Sequence, residues 1–130
     1  MDKKKILIVE DDQDALKVLA KSLTVEGYSI ITADNGSDAI KLAKSEHPDL
    51  IVLDLLLPDI DGEEVSAVLK EDFETQNIPV IYLTGVFPKR EDEEKDGRIV
   101  GGHVLIAKPY SLEELLTHMK KLLNGQCVHY

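Results

Sequence analysis

Cysteine is almost missing from the chain, which has a single one, Cys127, among 130 residues. A lone thiol cannot form an internal disulfide, so the core has to hold the fold together, and a reducing, cytoplasmic setting is expected. Long apolar runs are missing as well, because none approaches the roughly 18 residues that a membrane-spanning helix needs. No signal peptide is expected before the first apolar segment. The sequence therefore predicts a protein without membrane insertion.

Basic residues are in short supply. The 15 lysines and arginines are outnumbered by 25 acidic residues, which gives a formal net charge of −10. A chain this acidic is repelled by phosphate backbones, and this argues against direct binding of nucleic acid. The basic cluster at residues 3–5 precedes an apolar segment and is expected to be a solvated flank.

Apolar residues are concentrated in five short segments that alternate with helical patterns. The segments are residues 6–9, 28–33, 50–53, 80–83 and 103–107. They are so rich in branched side chains that burial on both faces is expected, as in a parallel sheet. A length of 130 residues suits one core. Strand–helix alternation of this kind predicts a single α/β domain with helices on both faces of the sheet.

Apolar stripes at helical spacing predict four helices, around residues 16–23, 39–43, 65–69 and 112–123. Asn35-Gly36 predicts a turn before the second of them. Ser111 and Glu114 form a capping box at the start of the last. Residues 89–98 contain no apolar side chain. Their composition favours a helix but gives it nothing to bury, so only a short or mobile helix is expected there.

Charged and hydroxyl side chains follow four of the five predicted strands. Glu10 and Asp11 follow the first, Asp54 the third, Thr84 the fourth and Lys108 the fifth. In a parallel sheet these ends meet at one edge, where ligands bind. Carboxylates gathered there would repel one another without a cation, and an all-oxygen set favours Mg²⁺. Together the groups suit a phosphoryl site with Asp54 as the nucleophile.

Each residue has a simpler interpretation when it is taken alone. Asp54 could merely end a strand, and Asp12 is more typical of a helix N-cap than of a metal ligand. Thr84 alone is typical of a strand end, and Lys108 of a solvated loop. Residues 59–62, Asp-Ile-Asp-Gly, match half of a calcium loop but lack its later ligands, so they predict a turn. The grouping at successive strand ends favours the phosphoryl site.

Five sequence motifs together resemble those of the receiver domain of bacterial response regulators. They are Ile-Leu-Ile-Val-Glu-Asp-Asp from residue 6, Pro-Asp-Leu-Ile-Val-Leu-Asp-Leu from 48, Leu-Pro-Asp-Ile-Asp-Gly from 57, Ile-Pro-Val-Ile-Tyr-Leu-Thr-Gly from 78 and Ala-Lys-Pro-Tyr from 107. The resemblance makes residues 1–130 one receiver domain, with its core at about 4–123 and a tail at 124–130. It implies a five-stranded parallel sheet in the flavodoxin-like order 2-1-3-4-5.

The resemblance also implies roles for the acidic residues. Asp54 matches the phospho-accepting aspartate of the family. Glu10 and Asp11 match its acidic pair, in which Asp11 would bind Mg²⁺ directly and Glu10 through water. The backbone carbonyl of Leu56 matches the position that completes the metal shell. Mg²⁺ is thus the cofactor that the resemblance implies.

Three positions near the end of the chain match or break the family pattern. Thr84 matches the switch hydroxyl, and Lys108 matches the lysine that pairs with the phosphoryl group. The peptide bond before Pro109 is cis in the family, which would aim the lysine inward. The family has an aromatic switch residue three positions before the lysine, where this chain has Leu105. A leucine cannot perform the ring rotation that reports phosphorylation.

The function implied by the resemblance is a phosphoacceptor switch in a two-component phosphorelay. A histidine kinase or histidine phosphotransfer protein would donate the phosphoryl group, and the switch would control a downstream protein or an output domain. The chain would not be an enzyme beyond self-directed phosphoryl transfer and slow hydrolysis of the aspartyl phosphate. Slow hydrolysis is expected because Leu56 and Val86, at the two positions that influence the attacking water, cannot orient it.

Other functions share parts of this pattern. A Mg²⁺-dependent phosphatase with a strand-end aspartate nucleophile needs an acid/base aspartate two residues later, where this chain has Leu56. A flavin carrier of the same topology needs a hydroxyl-rich phosphate loop after the first strand, and residues 10–12 are acidic instead. A degenerate receiver that acts as a constitutive protein-interaction module is the remaining alternative, and Leu105 is the feature that leaves room for it.

Overall fold

The computed structural model describes residues 3–84, 98–100, 103–108 and 110–124. Strands and helices follow one another in the order β1 (Lys5–Val9), α1 (Gln13–Val25), β2 (Ser29–Ala33), α2 (Gly36–Glu46), β3 (Leu50–Asp54), α3 (Gly62–Glu71), β4 (Val80–Thr84), β5 (Arg98–Val100), β6 (His103–Ala107) and α4 (Leu112–Leu123). The predicted alternation is confirmed. Residues 89–97 of the charged stretch lie outside the described residues, so the short helix expected there stays a prediction.

The described strands form one sheet in the order β2-β1-β3-β4-β6-β5. Five of them pair in parallel, which confirms the predicted order 2-1-3-4-5, with β6 as the predicted fifth strand. The sixth, β5, is antiparallel to β6 and pairs Val100 with His103. The sequence pattern missed β5 because three residues are too few to show a period. Gly101-Gly102 between two apolar segments was the available hairpin signal.

Alternate residues of the strands supply two cores, one on each face of the sheet. The helices add Leu16, Leu19 and Leu23 of α1 and Leu115 and Met119 of α4 to the first core. They add Ala39 and Ala43 of α2 and Val65 and Leu69 of α3 to the second. Helices on both faces are thus confirmed, and the strands are apolar throughout because both of their faces are covered. None of the described helices has the length and apolar character that crossing a membrane requires.

Polar side chains of the N-cap residues cap three of the described helices, α1, α2 and α4. The Asp12 carboxylate accepts hydrogen bonds from the backbone N–H groups of residues 14 and 15, which confirms its interpretation as the N-cap of α1. Asn35 accepts a hydrogen bond from the N–H of residue 38 at the start of α2. The Ser111 hydroxyl accepts one from the N–H of Glu114, 3.0 Å away, as the capping box predicts. These caps fix the loops that leave the carboxyl edge of the sheet.

Candidate functional site

The carboxyl ends of the parallel strands meet at one edge of the sheet. Asp54, the last residue of β3, pairs with Leu83 of β4, so Thr84 lies one residue further along the neighbouring strand. Thr84 in turn pairs with Ala107, and Lys108 follows directly. The register therefore brings the predicted residues of three strands to the same edge.

Asp54 is a buried carboxylate with both of its oxygens engaged. Asp54 is only 4% exposed. The backbone N–H of Leu56 donates to Oδ1 over 3.0 Å, and the Lys108 ammonium donates to Oδ2 over 2.7 Å. A buried charge is tolerated only when it is paired and hydrogen-bonded, and these two donors meet that need.

Lys108 joins the first strand to the third. Its Nζ lies 3.0 Å from Oε1 of Glu10 and 2.7 Å from Oδ2 of Asp54. Its backbone N–H donates to the carbonyl oxygen of Thr84 over 2.8 Å, which fixes the start of the loop after β6. One ammonium group thus bridges two carboxylates that are 44 residues apart in the sequence.

The acidic residues could hold a cation. Glu10, Asp11 and Asp54 each offer a carboxylate oxygen, and these oxygens lie within 4.8 Å of one another. Oε2 of Glu10 is buried and accepts no hydrogen bond from any described residue. Asp11 is the exposed member of the three. An all-oxygen set with an unsatisfied buried oxygen fits a hard divalent cation such as Mg²⁺.

Burial and charge set the protonation of the cluster. Burial of the Glu10 carboxyl, aided by the adjacent Asp54 carboxyl group, raises the pKa of Glu10 to about 7. Burial acts in the same direction on Asp54, but its contacts with Glu10, Lys108 and the Leu56 N–H outweigh it and hold the pKa of Asp54 below its ordinary value. Burial alone would lower the pKa of Lys108, yet the two carboxylates raise it. The Lys108 ammonium and the Leu56 N–H thus favour the charged form of Asp54.

Leu105 lies in a filled part of the second core. It is 8% exposed, and its register partner on β4 is Tyr82, which is buried on the same face. Burial raises the pKa of Tyr82, and a hydrogen bond with Ser66 of α3 partly offsets this effect. Leu105 therefore packs beside an aromatic side chain of the neighbouring strand.

Of the other predicted positions, Leu56 and Thr84 lie beside Asp54. The Leu56 backbone contacts Asp54, while its side chain is 58% exposed. Thr84 is buried at the same edge of the sheet. Pro109 and Val86 lie outside the described residues, so the cis peptide bond and the role of Val86 stay predictions.

Asp59 has a contact that the turn predicted at residues 59–62 did not include. Its carboxylate accepts hydrogen bonds from the first two N–H groups of α2, those of Gly36 and Ser37. These partners are 22 and 23 residues away. No local spacing could reveal a contact at that separation. The one general signal was that the first N–H groups of any helix need an acceptor.

Comparison with protein-family models identifies the family of the chain. The model described as "Response regulator receiver domain" matches residues 6–120. The chain belongs to this family. It is a receiver domain of the response-regulator type, a class whose members are signalling switches of two-component systems that are typically phosphorylated on aspartate.

Relatives of known name agree with the family. The polar-differentiation response regulator DivK of Brucella ovis is 38% identical over 121 residues, which cover 93% of this chain and 97% of that protein. The alkaline phosphatase synthesis transcriptional regulatory protein PhoP of Bacillus subtilis is 38% identical over 124 residues, which cover 93% of this chain but 49% of that protein.

Solved structures of similar fold are receiver proteins as well. The response regulator TrrA of Thermotoga maritima, in complex with Mg²⁺-BeF, superposes with a TM-score of 0.74 at 31% identity and covers 92% of this chain and 98% of its own. A CheY-like receiver domain protein of Methanospirillum hungatei superposes with a TM-score of 0.78 at 25% identity, covering 96% of this chain and 97% of its own.

Proposed function

We propose that this chain is the phosphoacceptor switch of a two-component phosphorelay and takes up a phosphoryl group on Asp54. The observation that carries the proposal is the placement of Asp54, a buried carboxylate 2.7 Å from the Lys108 ammonium and within reach of two further acidic side chains. A histidine kinase or a histidine phosphotransfer protein is the donor. A nucleophile, an ammonium group and a candidate metal site in one place are the parts that phosphoryl transfer uses.

The residues of this chain divide the chemistry among them. An oxygen of Asp54 forms a bond to phosphorus as the phosphorus–nitrogen bond of the donor phosphohistidine breaks, and the electron pair of that bond goes to the imidazole nitrogen. The lowered pKa of Asp54 supports this role, because the ionised nucleophile needs no base. Lys108 and the hydroxyl of Thr84 then bind oxygens of the transferred phosphoryl group.

Mg²⁺ is the proposed cofactor. Asp11, Asp54 and the backbone carbonyl of Leu56 would hold it, and Glu10 would contact it through water. When bound, it would neutralise charge on the phosphoryl oxygens. The unsatisfied Glu10 Oε2 and the carboxylate oxygens within 4.8 Å of one another support this assignment.

Phosphorylation would shift an existing equilibrium between two conformations. The phosphoryl group adds a charge of about −1.5 to −2 at the sheet edge, and Thr84 and Lys108 respond to it. Because β6 carries Leu105, the response passes to the output surface without the ring rotation of the family. The recipient is a downstream protein or an output domain. The chain is no enzyme beyond its own phosphorylation and slow dephosphorylation, acts in the cytoplasm and makes no direct contact with nucleic acid.

The test is phosphorylation by acetyl phosphate in the presence of Mg²⁺, followed on a phosphate-affinity gel. The wild type and the control variant Asp61→Asn are expected to become phosphorylated, which labels them with a retarded band. Asp54→Asn is expected to show no such band, and a chelator that removes Mg²⁺ should abolish labelling of every variant. Label that persists in Asp54→Asn would contradict the assignment. A wild type that never takes up label would favour the constitutive interaction module instead.

A further inference from the structure

Asp59 binds the start of a helix that is distant in sequence. Oδ1 accepts a hydrogen bond from the N–H of Gly36 at 2.7 Å, and Oδ2 accepts one from the N–H of Ser37 at 2.9 Å. Asp59 belongs to residues 55–61, the segment between Asp54 and α3, which we call the acceptor loop. The loop that leaves the phosphorylation site is thereby tied to α2.

The contact is strong for an exposed residue. The first N–H groups of a helix have no partner within it and carry partial positive charge. The Gly36 and Ser37 N–H groups hold the pKa of Asp59 at about 2. Asn35 accepts the next N–H of α2, that of Asp38, so the helix start is fully capped only with Asp59 in place. Both oxygens of the carboxylate are used, and this fixes its orientation as well as its distance.

Close packing next to Asp59 shows that the loop and helix are fitted to each other. A Cβ atom on Gly36 would clash with Cγ1 of Ile60 and would lie 2.9 Å from Cγ2 of Val65. Ile60 therefore rests directly on the backbone of the first helical turn, which only a glycine permits there. The side chain of Ile60 packs against the second core. The acceptor loop is thus held to α2 by a charged contact and by an apolar one.

The two ends of the acceptor loop are held at the phosphorylation site. The N–H of Gly62 donates to the carbonyl oxygen of Leu55 over 2.9 Å, and a Cβ atom on Gly62 would lie 2.7 Å from the carbonyl oxygen of Asp54. The N–H of Leu56 donates to the Asp54 carboxylate. Between these contacts the Leu56 side chain is 58% exposed and contributes little to holding the loop. Asp59 is the polar anchor for the middle of the loop.

We propose that Asp59 is a positioning residue for phosphorylation: it clamps the acceptor loop to α2 and so keeps the backbone of Leu56 in place beside Asp54. This inference rests on the proposed function, since the Leu56 carbonyl matters only if a metal ion is bound there. Without the hydrogen bonds from α2 to Asp59, the backbone between Leu56 and Ile60 would have more conformational freedom. Binding of Mg²⁺ would then have to order this backbone, at a cost in conformational entropy. Asp59 would act through the loop, because both of its carboxylate oxygens already accept hydrogen bonds from α2.

Asp61 provides a control that distinguishes the hydrogen bonds of Asp59 from the effect of its negative charge. Asp61 is an exposed acidic residue of the same loop, and as the N-cap of α3 it makes no side-chain capping hydrogen bond. Asp61→Ala removes the same charge as Asp59→Ala at a similar place in the sequence. Asp59→Asn removes the charge but keeps one acceptor oxygen, so it tests the clamp in case Asp59→Ala folds poorly.

The experiment measures the Mg²⁺ dissociation constant of each unphosphorylated protein by calorimetry, together with the Mg²⁺ dependence of labelling by acetyl phosphate. Residues that support a metal site indirectly typically contribute 10- to 100-fold to affinity. We expect Asp59→Ala to weaken Mg²⁺ binding by about tenfold, the lower end of that range, and Asp59→Asn by less. Asp61→Ala should change it less than about twofold. Labelling at saturating Mg²⁺ should fall much less than labelling at low Mg²⁺.

The outcomes are distinct. If Asp59→Ala lowers only the resistance to urea and leaves the Mg²⁺ dissociation constant unchanged, Asp59 is a helix cap alone and the inference is wrong. If Asp61→Ala weakens Mg²⁺ binding as much as Asp59→Ala, loss of charge explains the effect and the inference is again wrong. If the wild type takes up no label, the proposed function fails, whatever Asp59 does.

Discussion

The ammonium group of Lys108 lies 2.7 Å from Oδ2 of Asp54 and 3.0 Å from Oε1 of Glu10. Both carboxylates are almost fully buried, and each would be costly to leave without a partner. Lysine is a compact charge on a flexible stem, so it can exchange a carboxylate oxygen for a phosphoryl oxygen with little rearrangement. In the proposed function, the same contact would stabilise the unphosphorylated site and hold the ammonium group where it can bind a phosphoryl oxygen.

Lys108→Ala should slow labelling by acetyl phosphate at least about tenfold, since a preorganised donor to the developing charge is lost. The pKa of Asp54 should also rise, because a hydrogen bond and a positive charge that lower it are removed. Initial labelling rates measure the effect. Lys120→Ala, which removes an exposed lysine of α4, is the control. Equal rates for the two variants would show that Lys108 has no part in the transfer.

Topology explains why most of the site could be predicted from the sequence. In a parallel sheet, residues that follow successive strands must meet at one edge, so Glu10, Asp54, Thr84 and Lys108 are brought together by strand order alone. The dense apolar segments made the strands recognisable, and the resemblance to receiver domains implied their order. The five parallel strands and the helices on both faces of the sheet could be predicted because apolar segments alternate with helical patterns along the chain.

The parts that escaped prediction depend on contacts without a local pattern. Strand β5 is too short to show a periodic pattern in the sequence. It is recognisable mainly by its backbone pairing with β6. Asp59 resembled an ordinary turn residue because its partners, Gly36 and Ser37, lie more than twenty residues earlier. A side chain that caps a distant helix leaves no spacing signal. Only the assembled fold reveals it.

The Asp59 clamp predicts a pH dependence of stability. The pKa of Asp59 is about 2 in the folded protein, against roughly 3.9 for an unperturbed aspartate. Because the folded value is the lower one, the contribution of the clamp is complete above about pH 5 and is lost as the pH falls toward 2. The difference in unfolding free energy between the wild type and Asp59→Asn should be constant above about pH 5 and shrink below about pH 4. Urea unfolding across this range measures it; a difference that does not shrink would contradict the clamp.

Leu105→Tyr restores the aromatic residue of the family and is expected to destabilise this protein. Leu105 is buried beside Tyr82, so a larger side chain would overpack the second core at a cost of about 1–3 kcal/mol. Leu105→Met, which conserves volume, should cost less than about 1.5 kcal/mol. Urea unfolding compares the two variants. A gain in stability with tyrosine would mean that the core has room for the ring after all.

Leu56→Asn should shorten the lifetime of the phosphorylated state several-fold. The Leu56 side chain is exposed beside Asp54 and cannot orient water, whereas an amide at that place can hydrogen-bond to an attacking water molecule. Decay is followed after removal of acetyl phosphate. Val25→Asn, at an exposed apolar position on α1, is the control. Similar decay in wild type and Leu56→Asn would show that this position does not control hydrolysis.

Locating the phosphoryl group tests the central claim most directly. Borohydride reduces an aspartyl phosphate to homoserine, and mass spectrometry of peptides then identifies the position that carried it. After labelling of the wild type by acetyl phosphate and Mg²⁺, homoserine is expected at position 54 alone. Homoserine at position 11 or 59, with Asp54 unmodified, would contradict the assignment of Asp54 as the phosphoacceptor.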